Sequence, residues 1–329
     1  MTIERFGAMP DGTVVDRIVL SDGELTVGLL TLGAILQDVR LRGVPLGLTL
    51  GSPGLDAYLG PMRFHGAVIG PVANRIAGAH ARIDGVPHRF PANFGSHTLH
   101  SGDAGTQGKV WRIEAADVAS ATLAIDLPAD EGGFPGNRTL RATWHLAPPA
   151  GIELIVTAET DAPTLMMVAH HPYWNLDGTD TWDGHALEVE ADRYLPADAV
   201  DLPTGEVLDV SGTPYDFREP RIVPREPLYD NSLCLADARR QLTRVARLRG
   251  RSGLALDIAT TEPALHLYGG HGADTSGVAG HDGRRYGPRA GLALEPQFWP
   301  AASGYTHFPD ITLRPGNDWR QHTRYDFVR

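Results

Sequence analysis

The amino-acid sequence predicts an all-β fold in which many short strands form a sandwich or barrel. The chain of 329 residues contains 38 glycines and 25 prolines, about a fifth of all positions against roughly 12% in average proteins. These residues interrupt helices and favour turns. Apolar and polar residues alternate in many short segments, as in half-buried strands, whereas helical periodicity is weak throughout. Strands without intervening helices indicate a sandwich or barrel.

The same alternation predicts the individual strands in order along the chain. Dipeptides that are typical of turns, such as Asp22-Gly23 and Asp84-Gly85, lie between them. The clearest predicted strands comprise residues 24–29, 122–127, 141–146, 152–157, 186–189, 254–258 and 318–327.

Residues 237–248 fit two patterns. Leu242, Val245 and Leu248 recur every three residues, as in a helix. Residues 245–248 also alternate, and an arginine-rich segment is compatible with an exposed edge strand, which we favour. The chain contains no linker, low-complexity tract or internal repeat, so we predict a single domain over residues 1–329.

Composition excludes several classes of protein. Lys and Arg number 29 against 40 Asp and Glu, a net charge of −11, and an acidic surface repels nucleic acid. Cys234 is the only cysteine and can form neither an internal disulfide nor a thiolate zinc cluster. Residues 1–12 lack an apolar signal core and no apolar run could cross a membrane, so we expect a cytoplasmic protein without a membrane partner. Neither a dinucleotide fingerprint, a P-loop nor a serine-hydrolase elbow is present.

The densest cluster of the 14 histidines lies in residues 168–176. In an extended chain His171, Tyr173 and Asn175 would share one face, and His170 and Trp174 the other. A face of imidazole, phenol and amide groups can exchange hydrogen bonds with a sugar and stack on it. The ordinary alternative is a buried histidine bonded to backbone carbonyls within an aromatic core.

Two further segments combine polar side chains with small or apolar residues. Asn74 and Arg75 lie among small residues where a ligand could approach, and His100 precedes a glycine turn. Glu295 ends an apolar run that is typical of a buried strand, and Gln297 would share its face. A buried carboxylate is costly unless it is paired or functional. A surface arginine in a turn and a strand-end glutamate facing solvent are the alternatives.

A metal site is a weaker interpretation. His266, His271, His281 and Asp282 lie in a glycine-rich stretch, and His170 or His171 could add ligands. None of these residues shows the short, fixed spacing of a zinc-binding helix. We therefore expect no bound metal.

Taken together, the segments resemble those of the aldose 1-epimerase (galactose mutarotase) family. The resemblance extends from about residue 23 to residue 327, and seven motifs in the same order make it specific. The matching segments are residues 64–77 (FHGAVIGPVANRIA), 83–85 (IDG) with 91–93 (PAN), 99–102 (LHSG), 133–137 (GFPGN), 171–176 (HPYWNL), 294–297 (LEPQ) and 308–316 (FPDITLRPG).

The resemblance implies a large antiparallel β-sandwich, the galactose mutarotase-like supersandwich. It also implies an isomerase that interconverts the α and β anomers of a free aldose without a cofactor. The expected partner is therefore a small monosaccharide, and the expected assembly is a monomer or homodimer. The family's general base matches Glu295, its general acid His171 and its second active-site histidine His100.

Sugar-binding positions also follow from the resemblance, which matches Arg75 to the sugar-binding arginine and Asp230 to an aspartate that binds hydroxyl groups. Asn74, Gln297 and Tyr173 are further pocket candidates.

The predicted acid and base suit mutarotation, in which the C1 hydroxyl loses a proton while the ring oxygen gains one. A carboxylate with a reference pKa of about 4.3 can accept the first proton, and an imidazole kept protonated by nearby carboxylates can donate the second.

Three other functions remain to be compared. A hexose-6-phosphate 1-epimerase would need additional arginines, for which Arg63 and Arg289 are candidates. A non-catalytic sugar-binding or sugar-sensing protein would not need Glu295 together with His171. A glycoside hydrolase could use Glu295 and Asp230 as its two carboxylates, but that mechanism does not call for histidines. We therefore expect a free-sugar mutarotase.

The loop of residues 262–271 and His170 depart from the family pattern, so the sequence does not identify the preferred aldose.

Overall fold

The computed structural model describes residues 1–329 and consists mainly of short β-strands. Its strands are β1 (Thr2–Ala8), β2 (Val14–Asp22), β3 (Leu25–Leu30), β4 (Ile35–Leu41), β5 (Val68–Ile69), β6 (Arg75–Ile76), β7 (His80–Ile83), β8 (Val86–Arg89), β9 (Thr98–Leu99), β10 (Arg112–Ala116), β11 (Ser120–Leu127), β12 (Arg138–Ala147), β13 (Gly151–Thr160), β14 (Thr164–Leu165), β15 (Ala169–His170), β16 (Tyr173–Trp174), β17 (Ala186–Val189), β18 (Arg193–Leu195), β19 (Leu208–Asp209), β20 (Arg221–Ile222), β21 (Asp230–Cys234), β22 (Thr243–Arg249), β23 (Ala255–Thr260), β24 (Ala264–Tyr268), β25 (Leu292–Gln297), β26 (Thr312–Leu313) and β27 (Trp319–Val328).

Helical structure is scarce, as the glycine and proline content predicts. The one α-helix, α1, comprises Leu55–Leu59. Single 3₁₀ turns occur at Ala77–Ala79, Gly102–Ala104, Thr106–Gly108, Glu131–Gly133, His281–Gly283 and Ala302–Gly304. None of these helical segments has the length and apolar character that crossing a membrane requires.

Three antiparallel sheets form the body of the fold. The largest has nine strands in the order β10-β11-β12-β13-β27-β23-β22-β17-β20. A six-stranded sheet has the order β16-β25-β24-β21-β18-β19, and a four-stranded sheet runs β1-β2-β3-β4. All neighbouring strands in these sheets pair antiparallel. The all-β, antiparallel prediction is therefore confirmed.

The alternating segments predicted as strands are strands in the structure, with boundaries that differ from the prediction by at most three residues. Residues 237–248 are a strand only from Thr243 onward, in β22. The predicted edge position is wrong, because β22 pairs with both β17 and β23. Its arginines are tolerated inside the sheet because Asp257 on β23 forms ion pairs with Arg244 at 3.0 Å and with Arg247 at 2.6 Å.

One large hydrophobic core joins the three sheets. It contains, for example, Val27 of the four-stranded sheet, Leu140 of the nine-stranded sheet and Leu294 of the six-stranded sheet. Because side chains alternate along a strand, the residues next to Leu294 point to the opposite face of the six-stranded sheet. There Ala293 belongs to a second, smaller core, and Glu295 is buried beside a cavity. One face of this sheet thus supports the fold and the other carries polar side chains.

Candidate active site

A cavity of about 700 Å³ lies over the polar face of the six-stranded sheet. Seven of the eight residues predicted from the sequence line it, namely Asn74, Arg75, His100, His171, Tyr173, Asp230 and Glu295. They come from five separate segments of the chain, so only the fold brings them together. The cavity is large enough for a monosaccharide, and its lining is rich in hydrogen-bonding groups.

The register of strands β21, β24 and β25 sets the floor of the cavity. His266 lies directly opposite Glu295 in the β24–β25 pair. Tyr268 lies opposite Asp230 in the β21–β24 pair. Since residues two apart on a strand share a face, His266 and Tyr268 point to the same side as their partners. All four side chains line the cavity.

Glu295 and His171 form a buried pair on this floor. His171 Nε2 lies 3.4 Å from Glu295 Oε1, and the side chains are 6% and 2% exposed. The neighbouring oxygen, Glu295 Oε2, has no hydrogen-bond partner within the protein, and neither has His171 Nδ1. The His171 backbone N–H donates to the Ala67 carbonyl at 3.0 Å, which fixes the residue between β15 and β16. The pair can therefore exchange protons with a bound molecule without first breaking a strong internal bond.

Burial governs the protonation of this pair. Desolvation, reinforced by Asp230, raises the pKa of Glu295 well above its usual range. Desolvation and the neighbouring His266 lower the pKa of His171 to about 3, whereas Asp230 raises it. Desolvation therefore opposes the protonation of His171 that the nearby carboxylate of Asp230 favours. Loss of hydration is the main cause of both shifts, and it opposes the charged form of each group.

His100 is held in a neutral form with a defined tautomer. Its backbone is left-handed, with φ of 50°, and its Nδ1 accepts a hydrogen bond from the Asn74 backbone N–H at 3.1 Å. A neutral imidazole that accepts at Nδ1 carries its proton on Nε2. Burial and the nearby His171 lower the pKa of His100 well below the usual value. His100 is therefore a hydrogen-bond donor in the cavity over a wide pH range.

Arg75 and Asp230 form the charged end of the cavity. Arg75 Nη2 lies 3.2 Å from Asp230 Oδ2 and 3.4 Å from Asp201 Oδ2. The guanidinium also stacks 5.1 Å from the Phe94 ring centroid. Although burial opposes ionisation, hydrogen bonds and charges from His266 and Arg75 hold the pKa of Asp230 below its usual range. An ionised acceptor and a buried guanidinium next to each other suit the hydroxyl groups of a sugar.

Other cavity residues were missed or given a different role. His266 and His271 line the cavity, although the sequence singled them out only as possible metal ligands. His281, the third member of that group, lies elsewhere, with its Nε2 2.8 Å from the Gln37 carbonyl. Asp201 was not predicted at all, because a single aspartate in a loop with left-handed φ of 56° has no local signature of a binding site.

Two residues predicted to face the ligand do not line the cavity. Gln297 is completely buried, and neither its amide oxygen nor its amide nitrogen has a partner within the protein. Asn175 donates instead to the carbonyls of Thr179 at 2.8 Å and Ala290 at 2.7 Å. The predicted common face fails at Asn175 because β16 ends at Trp174, where the alternation of an extended strand stops.

The remaining face predictions hold. His170 points away from the cavity, and its Nδ1 lies 2.9 Å from the Tyr325 hydroxyl, while Trp174 belongs to the main core. Of the two arginines considered for a phosphate, Arg63 lines the cavity and stacks on Phe64 at 4.5 Å. Arg289 is not a lining residue, and its nearest acidic group is Glu226 at 3.8 Å.

Comparisons with known proteins identify relatives of this chain. Residues 16–326 match the sequence profile of the family described as aldose 1-epimerase. Human galactose mutarotase is 31% identical over 98% of this chain and 97% of its own length. The aldose 1-epimerase of Escherichia coli (strain K12) is 30% identical over 97% of each protein.

Solved structures show the same fold. An aldose epimerase homologue from C. elegans superposes with a TM-score of 0.88 at 30% identity, over 95% of this chain and 98% of its own. Galactose 1-epimerase from Lactobacillus acidophilus gives a TM-score of 0.86 at 24% identity, over 99% and 98%. The fold, the order of the motifs and the sequence match agree, and the chain belongs to the aldose 1-epimerase family.

Proposed function

We propose that this protein is a mutarotase that interconverts the α and β anomers of a free aldose by general acid and base catalysis. The substrate class comes from the family and from galactose mutarotase and aldose 1-epimerase as named relatives. The residue roles are those that the family resemblance implies, and the geometry of the cavity supports them. Its lining of amide, imidazole, guanidinium, phenol and carboxylate groups suits a neutral polyhydroxylated molecule.

In the proposed reaction Glu295 accepts the proton of the C1 hydroxyl while His171 donates a proton to the ring oxygen. The C1–O5 bond breaks and its electron pair goes to O5. The pair released from the O1–H bond forms the C1=O1 double bond of the open-chain aldehyde. Rotation about C1–C2 presents the other face of the carbonyl to O5. Both transfers then reverse, and the ring closes as the other anomer with no net change in protons.

Catalysis needs Glu295 ionised and His171 protonated when the sugar is bound. A substrate hydroxyl that donates to Glu295 stabilises the carboxylate. The raised pKa also makes Glu295 a stronger base once it is ionised. His100 supplies a neutral donor nearby, while Arg75 and Asp230 hold sugar hydroxyls.

The observation that carries this proposal is the buried Glu295–His171 pair, 3.4 Å apart in a cavity lined by sugar-binding groups. A binding protein would gain nothing from two desolvated ionisable groups in this position, because their burial costs free energy. An acid and a base that act in concert require such an arrangement.

Polarimetry tests the proposal directly. Freshly dissolved α-anomers of glucose, galactose, xylose, arabinose and fucose are followed with and without the protein. Faster relaxation to the same final rotation is expected for at least one sugar, and the relative rates identify the preferred substrate. EDTA should leave the rate unchanged, because no step needs a metal. Absence of acceleration for every sugar would contradict the proposal, and hexose 6-phosphates would then be tested.

Three broader expectations stay predictions of the sequence. They are a single domain over the whole chain, a monomer or homodimer, and a cytoplasmic location. Size-exclusion chromatography with light scattering measures the assembly.

A further inference from the structure

His266 occupies the middle of the cavity floor, and the proposed reaction gives it no role. Its side chain is 5% exposed. Nε2 lies 2.8 Å from Asp230 Oδ1 and 3.3 Å from Asn74 Nδ2. Nδ1 lies 2.9 Å from Ser232 Oγ. Both ring nitrogens are thus engaged, which is unlike His171, whose Nδ1 has no partner.

The chemistry of its partners determines what His266 donates. The ionised carboxylate of Asp230 only accepts hydrogen bonds, so His266 Nε2 must be the donor in that contact. The Ser232 hydroxyl lies 2.9 Å from Nδ1 and holds the opposite side of the ring, which fixes the orientation of the imidazole. Ser232 is 2% exposed and does not line the cavity. Ser232 therefore contacts the imidazole on the side away from the cavity.

The result is a carboxylate fixed at both oxygens. Asp230 Oδ1 accepts from His266, while Oδ2 lies 3.2 Å from Arg75 Nη2. A carboxylate has about four acceptor sites, so each oxygen keeps acceptor capacity for sugar hydroxyls. Without His266, Asp230 could rotate towards Arg75 alone and present its free lone pairs in a different direction.

We propose that His266 is a positioning residue for sugar recognition, which fixes Asp230 so that its free lone pairs meet hydroxyl groups of the aldose. This inference rests on the proposed function, because it assigns how the same cavity holds its substrate. His266 lies opposite Glu295 in the strand register but makes no hydrogen bond with it. The contribution of His266 is therefore to sugar affinity rather than to proton transfer.

Substitution of His266 tests the assignment through KM and kcat separately. The rate of mutarotation of the sugar that the wild type prefers among the five named above is measured by polarimetry for the wild type, His266→Ala and His266→Gln. His266→Ala should raise KM about ten- to hundredfold, the range expected for losing a hydrogen bond to a charged group, with kcat changed by less than about threefold. His266→Gln should recover most of the affinity, because its amide N–H can donate to Asp230.

Two further variants separate positioning from general damage to the fold. Ser232→Ala removes the contact that fixes the orientation of the His266 imidazole and should raise KM by about two- to tenfold. His145→Gln alters an exposed histidine on β12, remote from the cavity lining, and should change neither constant. Thermal unfolding is measured for every variant. If His266→Ala does not fold, Ser232→Ala and His266→Gln decide the question.

The assignment is overturned if KM is unchanged in His266→Ala, if His266→Gln is as impaired as His266→Ala, or if kcat falls while KM stays constant. Failure of the proposed function gives a different result, since the wild type would then accelerate none of the five sugars. In that case titration calorimetry with the same sugars compares the wild type with His266→Ala. A ten- to hundredfold weaker Kd in the variant would still support the positioning role, and an equal Kd would refute it.

Discussion

Replacing Glu295 by glutamine separates the chemistry from sugar binding. Glutamine has nearly the same shape, but its amide cannot accept the C1 proton. A general base contributes roughly 10²–10⁴-fold to a rate, which corresponds to about 3–5 kcal/mol of activation free energy. We therefore expect kcat to fall by that factor. The fold should tolerate the change, because Glu295 is buried and its Oε2 has no hydrogen-bond partner within the protein.

Polarimetry measures the rate and titration calorimetry the affinity of the Glu295→Gln variant. Glu262 provides a matched control, because it is also a fully buried glutamate next to β24 but lies outside the cavity. It accepts a hydrogen bond from Arg239 Nε at 2.7 Å. Glu262→Gln should cost about 1–3 kcal/mol of stability through that bond and keep the kcat of the folded protein. Full turnover by Glu295→Gln with sugar still bound would refute its role as the base.

Three other predictions concern neighbouring groups. His171→Ala should abolish mutarotation measured by polarimetry, since ring-oxygen protonation would have no donor, and an unchanged rate would refute that role. Asp230→Asn should raise KM about tenfold or more through a lost charged acceptor, whereas an unchanged KM would exclude it from sugar binding. Burial lowers the pKa of His65 and His170 to about 3, so only the unfolded chain gains protons as pH falls below about 6.5. Each histidine should then remove about 1.4 kcal/mol of stability per pH unit between pH 6.5 and 3, and urea unfolding of His170→Gln should show a correspondingly weaker pH dependence.

Much of the fold follows from local sequence patterns. Strand β25 illustrates why, because an apolar run ending in Glu295 requires burial on both faces, and the structure buries every residue from Leu292 to Gln297. The central position of β22 was not predictable in this way. Its arginines are compensated by Asp257 on a different strand. The composition of a segment does not reveal which other strand it pairs with.

The cavity shows the same division between local and long-range information. Glu295 and His171 stand out in their own segments as polar residues among apolar or aromatic neighbours. The role of His266 depends on its register opposite Glu295 and on contacts with Asp230 and Ser232, which lie more than 30 residues away. Gln297 matches a motif but is buried and does not line the cavity. Only the packing of the sheets reveals this.

The opposite proton transfers at Glu295 and His171 also have a consequence for how the active site returns to its starting state. In the proposed reaction, ring opening moves one proton onto Glu295 and one off His171, and ring closure returns both. Each turnover thus ends with the enzyme in its starting state, with no exchange of protons with bulk water. Such a self-restoring site needs no separate path for protons to solvent, so Glu295 and His171 can stay buried throughout the cycle. The burial that perturbs both pKa values is therefore compatible with rapid, repeated catalysis.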